Sequence, residues 1–204
     1  MRRLAVALAC LVPLGAALPA MAADALPDEV EYQLIYMREE EKLAHDVYLL
    51  FDGLYGGTTP GAQVFQRITL SEQRHTDAVA QLLEAYGVED TVADAAPGEF
   101  TIPELQDLYV TLVAVGEAGL TEALGVGVLI ERKDMTDIVE AIEVSVDYAD
   151  IVQVYTNLLA GSESHLAAFL KVLDTSAAST AASIAASSPA GGNDCKGGAY
   201  GKGH

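Results

Sequence analysis

Four long segments of this chain each carry an apolar stripe with helical spacing, and polar side chains interrupt every stripe near its middle. The clearest stripe lies in residues 61–86, where steps of three and four residues connect Ile68, Glu72, His75, Val79, Leu82 and Tyr86. Residues at this spacing share one face of a helix, and in a bundle that face meets the core. The pattern predicts packed helices whose shared core is polar at mid-height.

The other three stripes repeat this arrangement. Glu41 lies at the centre of the stripe in residues 28–51, and Glu131 lies within the stripe of residues 120–143. In residues 148–173 the middle of the stripe holds Ser162 and His165. Each long helix is therefore expected to direct polar side chains into the core at a similar height.

One shorter helix is predicted between the second and third long ones. Thr101 precedes Glu104 by three residues and Pro103 stands in the first turn, which indicates a capping box that opens a helix ending near Val115. Gly53, at the end of the first helix, and Gly87, after the second, are predicted to stop them. The sequence shows no useful strand pattern, so we predict an all-α fold, a four-helix bundle with one inserted short helix.

Both ends of the chain are predicted to lie outside this domain. Two arginines, an apolar run over 4–18 and the small residues of Ala20-Met21-Ala22 predict a signal peptide over 1–22, cleaved before Ala23. From Thr175 the chain is rich in Ser, Ala and Gly, which indicates a disordered tail over 175–204. The domain is assigned to 23–174, and the protein is expected to be exported, to the periplasm or beyond the cell.

Charge excludes several classes of partner. The formal net charge is −19, and removal of residues 1–22 takes away two arginines and no acid, which leaves −21. So acidic a protein is not expected to bind nucleic acid or an anionic membrane surface, and no membrane association is expected after signal removal. The two cysteines, Cys10 and Cys195, cannot build a thiolate zinc site or a disulfide framework.

The polar centre of the stripes predicts a metal site. A buried, unpaired carboxylate costs several kcal/mol or is neutralised by a shift of its pKa, so several of them converging in one core need compensation. Carboxylates and imidazoles are ligands of first-row divalent metals, and the Glu72-x-x-His75 spacing puts both side chains on one helix face. Three carboxylates, from Glu41, Glu72 and Glu131, are enough to bridge two ions.

Several motifs resemble a family of ferritin-like proteins, the domain of unknown function 2202. They are YMREEEKLAHDVY (36–48), SEQRH (71–75), GEFTIPELQDLY (98–109), VGVLIERKDMTDI (126–138) and VYTNLLAGSESHLAAF (154–169). The first helix is also similar to the first metal-binding helix of rubrerythrins. The resemblance implies a ferritin-like fold and two iron ions, or manganese, bound by Glu41, Glu72, His75, Glu131 and His165, with Asp134 completing an acidic pair on the third long helix.

The resemblance is incomplete in the fourth long helix. The superfamily pattern places a glutamate three residues before His165, where this chain has Ser162. Asp134 or water is left to take that ligand's place, and an asymmetric pair, a single metal and a weakened two-metal site all stay open. Nearby, Glu39 and Glu40 are expected to face solvent. His45 is expected to lie at the surface or to donate a hydrogen bond to a metal-ligand side chain. Tyr48 is expected to pack in the core or to donate a hydrogen bond near the site.

Two classes of function follow. A carboxylate-bound iron pair supports an oxidoreductase of the ferroxidase or peroxidase type, and the absence of a Cys-x-x-Cys pair from the sequence means that electrons would come from ferrous iron or an external donor. The alternative is a metal-binding or structural bundle without turnover. A homodimer is kept open as an assembly.

Overall fold

The described residues of the computed structural model, 26–57 and 59–187, are predominantly helical. Five α-helices occur in them: α1 (Asp28–Phe51), α2 (Gln63–Tyr86), α3 (Pro103–Gly116), α4 (Leu120–Val144) and α5 (Ala149–Ser187). A single π-helical turn, Asp52–Gly56, extends α1. These residues contain no strand, and the predicted all-α fold is confirmed.

The four long helices close into a bundle. Helix α1 packs against α2 and α4, and α5 packs against α4 and α2, so each long helix has two long neighbours. The short helix α3 lies on the outside, against α1 and α4. This is the predicted four-helix bundle with one inserted helix.

Two apolar clusters fill the bundle, one on each side of a polar layer. Tyr48, Phe51, Phe65 and Phe169 lead one cluster. The other contains Leu34, Met37, Val79, Ile138 and Tyr155. Along every long helix, the residues between these clusters include the polar positions of the stripes. The predicted polar mid-height is therefore present, enclosed by apolar packing at both ends.

The ends of the first two long helices differ in how they match the prediction. Helix α2 ends at Gly87, whose φ of 70° is left-handed and therefore favours glycine, as predicted. Helix α1 ends at Phe51, before Gly53, as predicted, but a π-helical turn over Asp52–Gly56 follows it directly. A glycine inside a helix costs roughly 1 kcal/mol, and here Tyr55 compensates by donating a 2.7 Å hydrogen bond to the Gly116 carbonyl oxygen of α3.

The predicted capping box of α3 does not form. Pro103 opens the helix as expected, but the residue before it, Ile102, makes no side-chain capping bond. The backbone nitrogen and hydroxyl of Thr101 instead donate to Glu39 of α1. A buried carboxylate is a stronger acceptor than the groups a local cap offers.

Helix α5 also differs from the prediction, because it continues to Ser187 instead of ending near Leu173. Residues 175–187 thus belong to a helix, whereas a disordered tail was predicted from 175. Alanine has the highest helix propensity, and no Gly or Pro occurs between Thr175 and Pro189. The rest of the predicted tail, 188–204, and the predicted signal peptide, 1–22, lie outside the described residues. Within the described part of the chain, no helix has both the length and the apolar character of a membrane span.

Candidate metal centre

All five residues that the stripes placed at mid-height converge in the polar layer. The Nδ1 atom of His75 lies 2.9 Å from Glu72 Oε2 and 3.3 Å from Glu41 Oε2. The Nδ1 atom of His165 lies 2.7 Å from Glu72 Oε1 and 3.6 Å from Glu131 Oε2. The two imidazole rings are stacked, with centroids 5.4 Å apart. The structure therefore brings the predicted set together, and metal binding by it stays a prediction.

Glu72, His75 and His165 form the tightest group in this cluster. One potential ligand atom from each lies within 4.8 Å of the other two. Glu72 and His165 are buried, while His75 is partly exposed, with 12% of its side chain accessible. Atoms at such distances can surround a single cation, which makes this group the core of the candidate site.

Several buried polar atoms of the layer have no hydrogen-bond partner among the described residues. They are Glu41 Oε1, Glu72 Oε1, Asp134 Oδ1 and His165 Nδ1. The last of these lies close to Glu72 Oε1 without the alignment of a hydrogen bond. Leaving a buried acceptor unsatisfied costs roughly 1–3 kcal/mol. A cation placed among these atoms would satisfy them, so the residues present fit a metal ion.

Asp134 joins the cluster next to the serine that replaces the expected glutamate. Ser162 lies in the stripe of α5, and its hydroxyl oxygen is 2.5 Å from Asp134 Oδ2 and 3.0 Å from the Leu158 carbonyl oxygen. Both Ser162 and Asp134 are buried. The short serine side chain holds one oxygen of Asp134 and leaves the other, Oδ1, without a partner. Asp134 therefore reaches the position of the absent glutamate, and which group replaces that ligand stays a prediction.

The histidines of the cluster attract protons. Burial acts to lower the pKa of His75, but hydrogen bonds with Glu41 and Glu72 outweigh it and raise this pKa to about 11. Burial likewise acts to lower the pKa of His165, but its contacts with Glu131 and Glu72 outweigh burial and raise this pKa to about 9. Burial acts to raise the pKa of Glu72, but its contacts with both histidines lower it to about 2.

The other acids of the layer favour their neutral forms. Burial raises the pKa of Glu131 to about 7. Burial also raises the pKa of Glu41 and of Asp134 well above the usual range, and neighbouring carboxylates add to both shifts. These shifts favour bound protons in the layer, and a metal ion bound among these acids would have to displace some of them.

Two tyrosines border the polar layer on opposite sides. Tyr48 is fully buried, donates a 2.7 Å hydrogen bond to Glu131 Oε1 and packs its ring 5.2 Å from that of Phe169. Both predictions for Tyr48, core packing and hydrogen-bond donation, are therefore confirmed.

Tyr155 was not singled out from the sequence. Its hydroxyl is buried with no hydrogen-bond partner among the described residues, and burial and the charge of Glu41 raise its pKa.

The prediction that Glu39 and Glu40 face solvent is wrong. Glu39 is fully buried and accepts hydrogen bonds from Thr91 Oγ1 and from the backbone nitrogens of Thr101 and Ile102. Glu40 is also buried and lies 2.7 Å from Lys133 Nζ of α4. The loop before α3 covers one flank of α1, and α3 and α4 cover the other. Contacts so distant in sequence leave no periodic signal along the helix.

His45 stays away from the cluster of five. Its Nδ1 lies 2.9 Å from Asp46 Oδ1, and its ring is partly buried beside the loop before α3.

Gly161 is a residue that the sequence interpretation missed. A Cβ atom at this position would lie 2.5 Å from both Cε1 and Nε2 of His75, so α5 leaves room for the imidazole only because residue 161 has no side chain.

Together, the helices and the polar cluster place this chain among helical bundles that bury acids and imidazoles at mid-height. Within that class, the chain belongs to the family described as uncharacterized protein domain DUF2202, whose model matches residues 30–188. The predicted family resemblance is thereby confirmed, whereas membership of the ferritin-like superfamily stays a prediction.

One relative has both a sequence match and a solved structure. The chain is 42% identical over 149 residues to the uncharacterized protein MJ0754 of Methanocaldococcus jannaschii, an alignment that covers 73% of this chain and 77% of that protein. The crystal structure of the hypothetical protein MJ0754 matches with a TM-score of 0.70 and 39% identity. It covers 79% of this chain and 87% of the solved one. Neither name assigns an activity to that protein.

Proposed function

We propose that this protein is an exported, ferritin-like metalloprotein that binds two metal ions in the polar layer and either oxidises ferrous iron, with dioxygen or peroxide as the electron acceptor, or reduces peroxide. Iron is the metal we favour, with manganese as the alternative. The observation that carries the proposal is the set of buried donor atoms without partners, contributed by all four long helices. Such a set is costly to a folded protein unless a cation neutralises it.

The residues divide into two groups around the proposed ions. Glu72, His75 and His165 form the tight group that would hold one ion. Glu41, Glu131 and Asp134 are the remaining acids, available to bridge to a second ion. Iron held by carboxylates and imidazoles would supply one-electron exchange between its ferrous and ferric states. The two apolar clusters keep water from the layer, and Tyr48 orients Glu131 through its hydrogen bond.

Metal content in a histidine variant tests the proposal. We expect the purified wild-type domain to contain about two iron or manganese ions per chain, as three carboxylates and two histidines suffice for two ions. The variant His75→Ala should lose most of this metal, because it removes one of the two imidazoles. His45→Ala is the matched control, since His45 shares α1 with Glu41 but bonds only to Asp46. Elemental analysis that found equal metal in wild type and His75→Ala would contradict the assignment.

A single-ion binder without turnover is the second candidate. It is favoured by one observation: among the described residues, only Glu72, His75 and His165 form a group with ligand atoms this close together. One ion per chain, with no ferrous oxidation and no peroxide consumption, would support this alternative. Two ions with either activity would support the oxidoreductase. The electrons for peroxide reduction would come from ferrous iron or an external donor.

A further inference from the structure

Glu40 is a buried carboxylate that the proposed site does not yet use. It precedes Glu41 on α1 and is 3% exposed. Its Oε1 atom lies 2.7 Å from Lys133 Nζ, whereas its Oε2 atom is buried with no hydrogen-bond partner among the described residues. Half of this carboxylate is therefore anchored, and the other half is available to a cation.

The anchor of Glu40 is itself held in place. Lys133 Nζ also donates to the hydroxyl of Tyr36, at 2.6 Å, and to Asp137. With three partners on two helices, the ammonium holds Oε1 of Glu40 against α4. A ligand carboxylate commonly has one oxygen hydrogen-bonded in this way, which orients the other towards the metal.

Glu40 adjoins the acids of the polar layer on both helices that its ion pair joins, since it directly precedes Glu41 on α1. Lys133, which binds Glu40, precedes Asp134 on α4. Asp134 likewise has one buried oxygen, Oδ1, without a partner. Two carboxylates in this arrangement repel each other unless a cation or a proton lies between them.

We propose that Glu40 is a ligand of the second metal ion, where with Asp134 it supplies the carboxylate that is absent at position 162. This inference rests on the proposed two-metal function. The neighbouring Glu39 is not equivalent, because both of its oxygens accept hydrogen bonds from the loop before α3. Of the three successive glutamates on α1, only Glu40 and Glu41 thus have an oxygen available for metal.

Manganese titration of the variant Glu40→Gln tests this role without requiring activity. Apo protein is titrated with Mn²⁺, and bound ions are followed by calorimetry and counted by elemental analysis. Glutamine keeps the shape of the side chain but lacks the charge, so we expect the first ion to bind as in wild type and the second at least about tenfold more weakly. Glu39→Gln is the matched control, because it makes the same change at the neighbouring glutamate, whose oxygens both bond to the loop before α3, and it should still bind two ions.

The possible outcomes distinguish the role of Glu40 as a ligand from the proposed two-metal function. Two ions in wild type, with the second weakened in Glu40→Gln but not in Glu39→Gln, would support the inference. Equal binding of both ions by wild type and Glu40→Gln would overturn it while leaving the two-metal function standing. No metal in the wild type would overturn both proposals. Far-ultraviolet circular dichroism verifies the fold, and if Glu40→Gln does not fold, Glu40→Asp, which retracts the carboxylate by one methylene, should weaken the same ion.

Discussion

At the scale of single residues, the candidate site depends on groups that differ only slightly from their neighbours. Glu39, Glu40 and Glu41 are chemically identical and consecutive, yet one anchors a loop, one pairs with Lys133 and one contacts His75. Successive side chains on a helix diverge by about 100°, so each meets a different neighbouring element. The role of each acid is therefore set by its surroundings.

The close contact between Gly161 and His75 leads to a prediction in which stability and metal binding change in opposite directions. Gly161→Ala should leave helix α5 intact and favour it by up to about 1 kcal/mol through helix propensity. The added Cβ would collide with the His75 ring, so metal affinity should fall about 10- to 100-fold. Thermal unfolding of the apo protein and metal titration measure the two effects.

Gly125 offers the matched control for this substitution. It lies in helix α4, and a Cβ atom there would meet nothing within 4 Å. Gly125→Ala should therefore raise helix stability without changing metal affinity. If the two variants bound metal equally well, the steric role of Gly161 would be refuted.

At the scale of elements, α1 organises the molecule on both of its flanks. Its mid-height residues contact the layer on one side, and Glu39 binds the loop before α3 on another. Lys42 adds to this by donating to Asp46 at 2.6 Å and to the carbonyl oxygen of Ala96. This explains why α1 is buried on nearly all sides around residues 39–44 although its sequence there is highly charged.

Removing the carboxylate of Glu39 should destabilise the loop without affecting the metal centre. Glu39→Ala leaves the backbone nitrogens of Thr101 and Ile102 without their acceptor, which we expect to lower the free energy of unfolding by about 2–4 kcal/mol. Metal content should match wild type. Urea denaturation measures the first effect, with Glu31→Ala, an exposed position on the same helix, as control. A loss no greater than that of Glu31→Ala would show that the anchor contributes little.

At the scale of the whole molecule, the polar layer links all four long helices, so its protonation affects global stability. Burial acts to lower the pKa of His165, but its contacts with Glu131 and Glu72 outweigh burial and give it a pKa of about 9 in the folded protein, above its ordinary 6.5. The stability from this histidine is complete below pH 6.5 and is lost as the pH rises through about 9. Glu131 has a pKa of about 7 in the folded protein in place of its ordinary 4.5. Its contribution to stability therefore also falls as the pH rises from about 4.5 to about 7.

Apo protein should therefore become less stable as the pH rises from about 5 to about 9. Bound metal replaces the protons and stabilises only the folded state, by about 2.7 kcal/mol when the free ion is at one hundred times its dissociation constant. The metal-loaded protein should lose little stability over the same range. Melting temperatures with chelator and with Mn²⁺, compared across this pH range, test the difference. Parallel pH profiles for both forms would argue against the metal.

The sequence by itself determined the helices and the residues of the central layer. Helical periodicity is local, so the five helices and the convergence of Glu41, Glu72, His75, Glu131 and His165 were predictable from spacing alone. Burial on other faces depends on distant segments and has no periodic signature. Only the tertiary structure therefore revealed that Glu39 and Glu40 are buried, that Ser162 holds Asp134, and that Gly161 makes room for His75. Packing between distant segments decides these contacts, because it sets which side chains lose water and which find a partner.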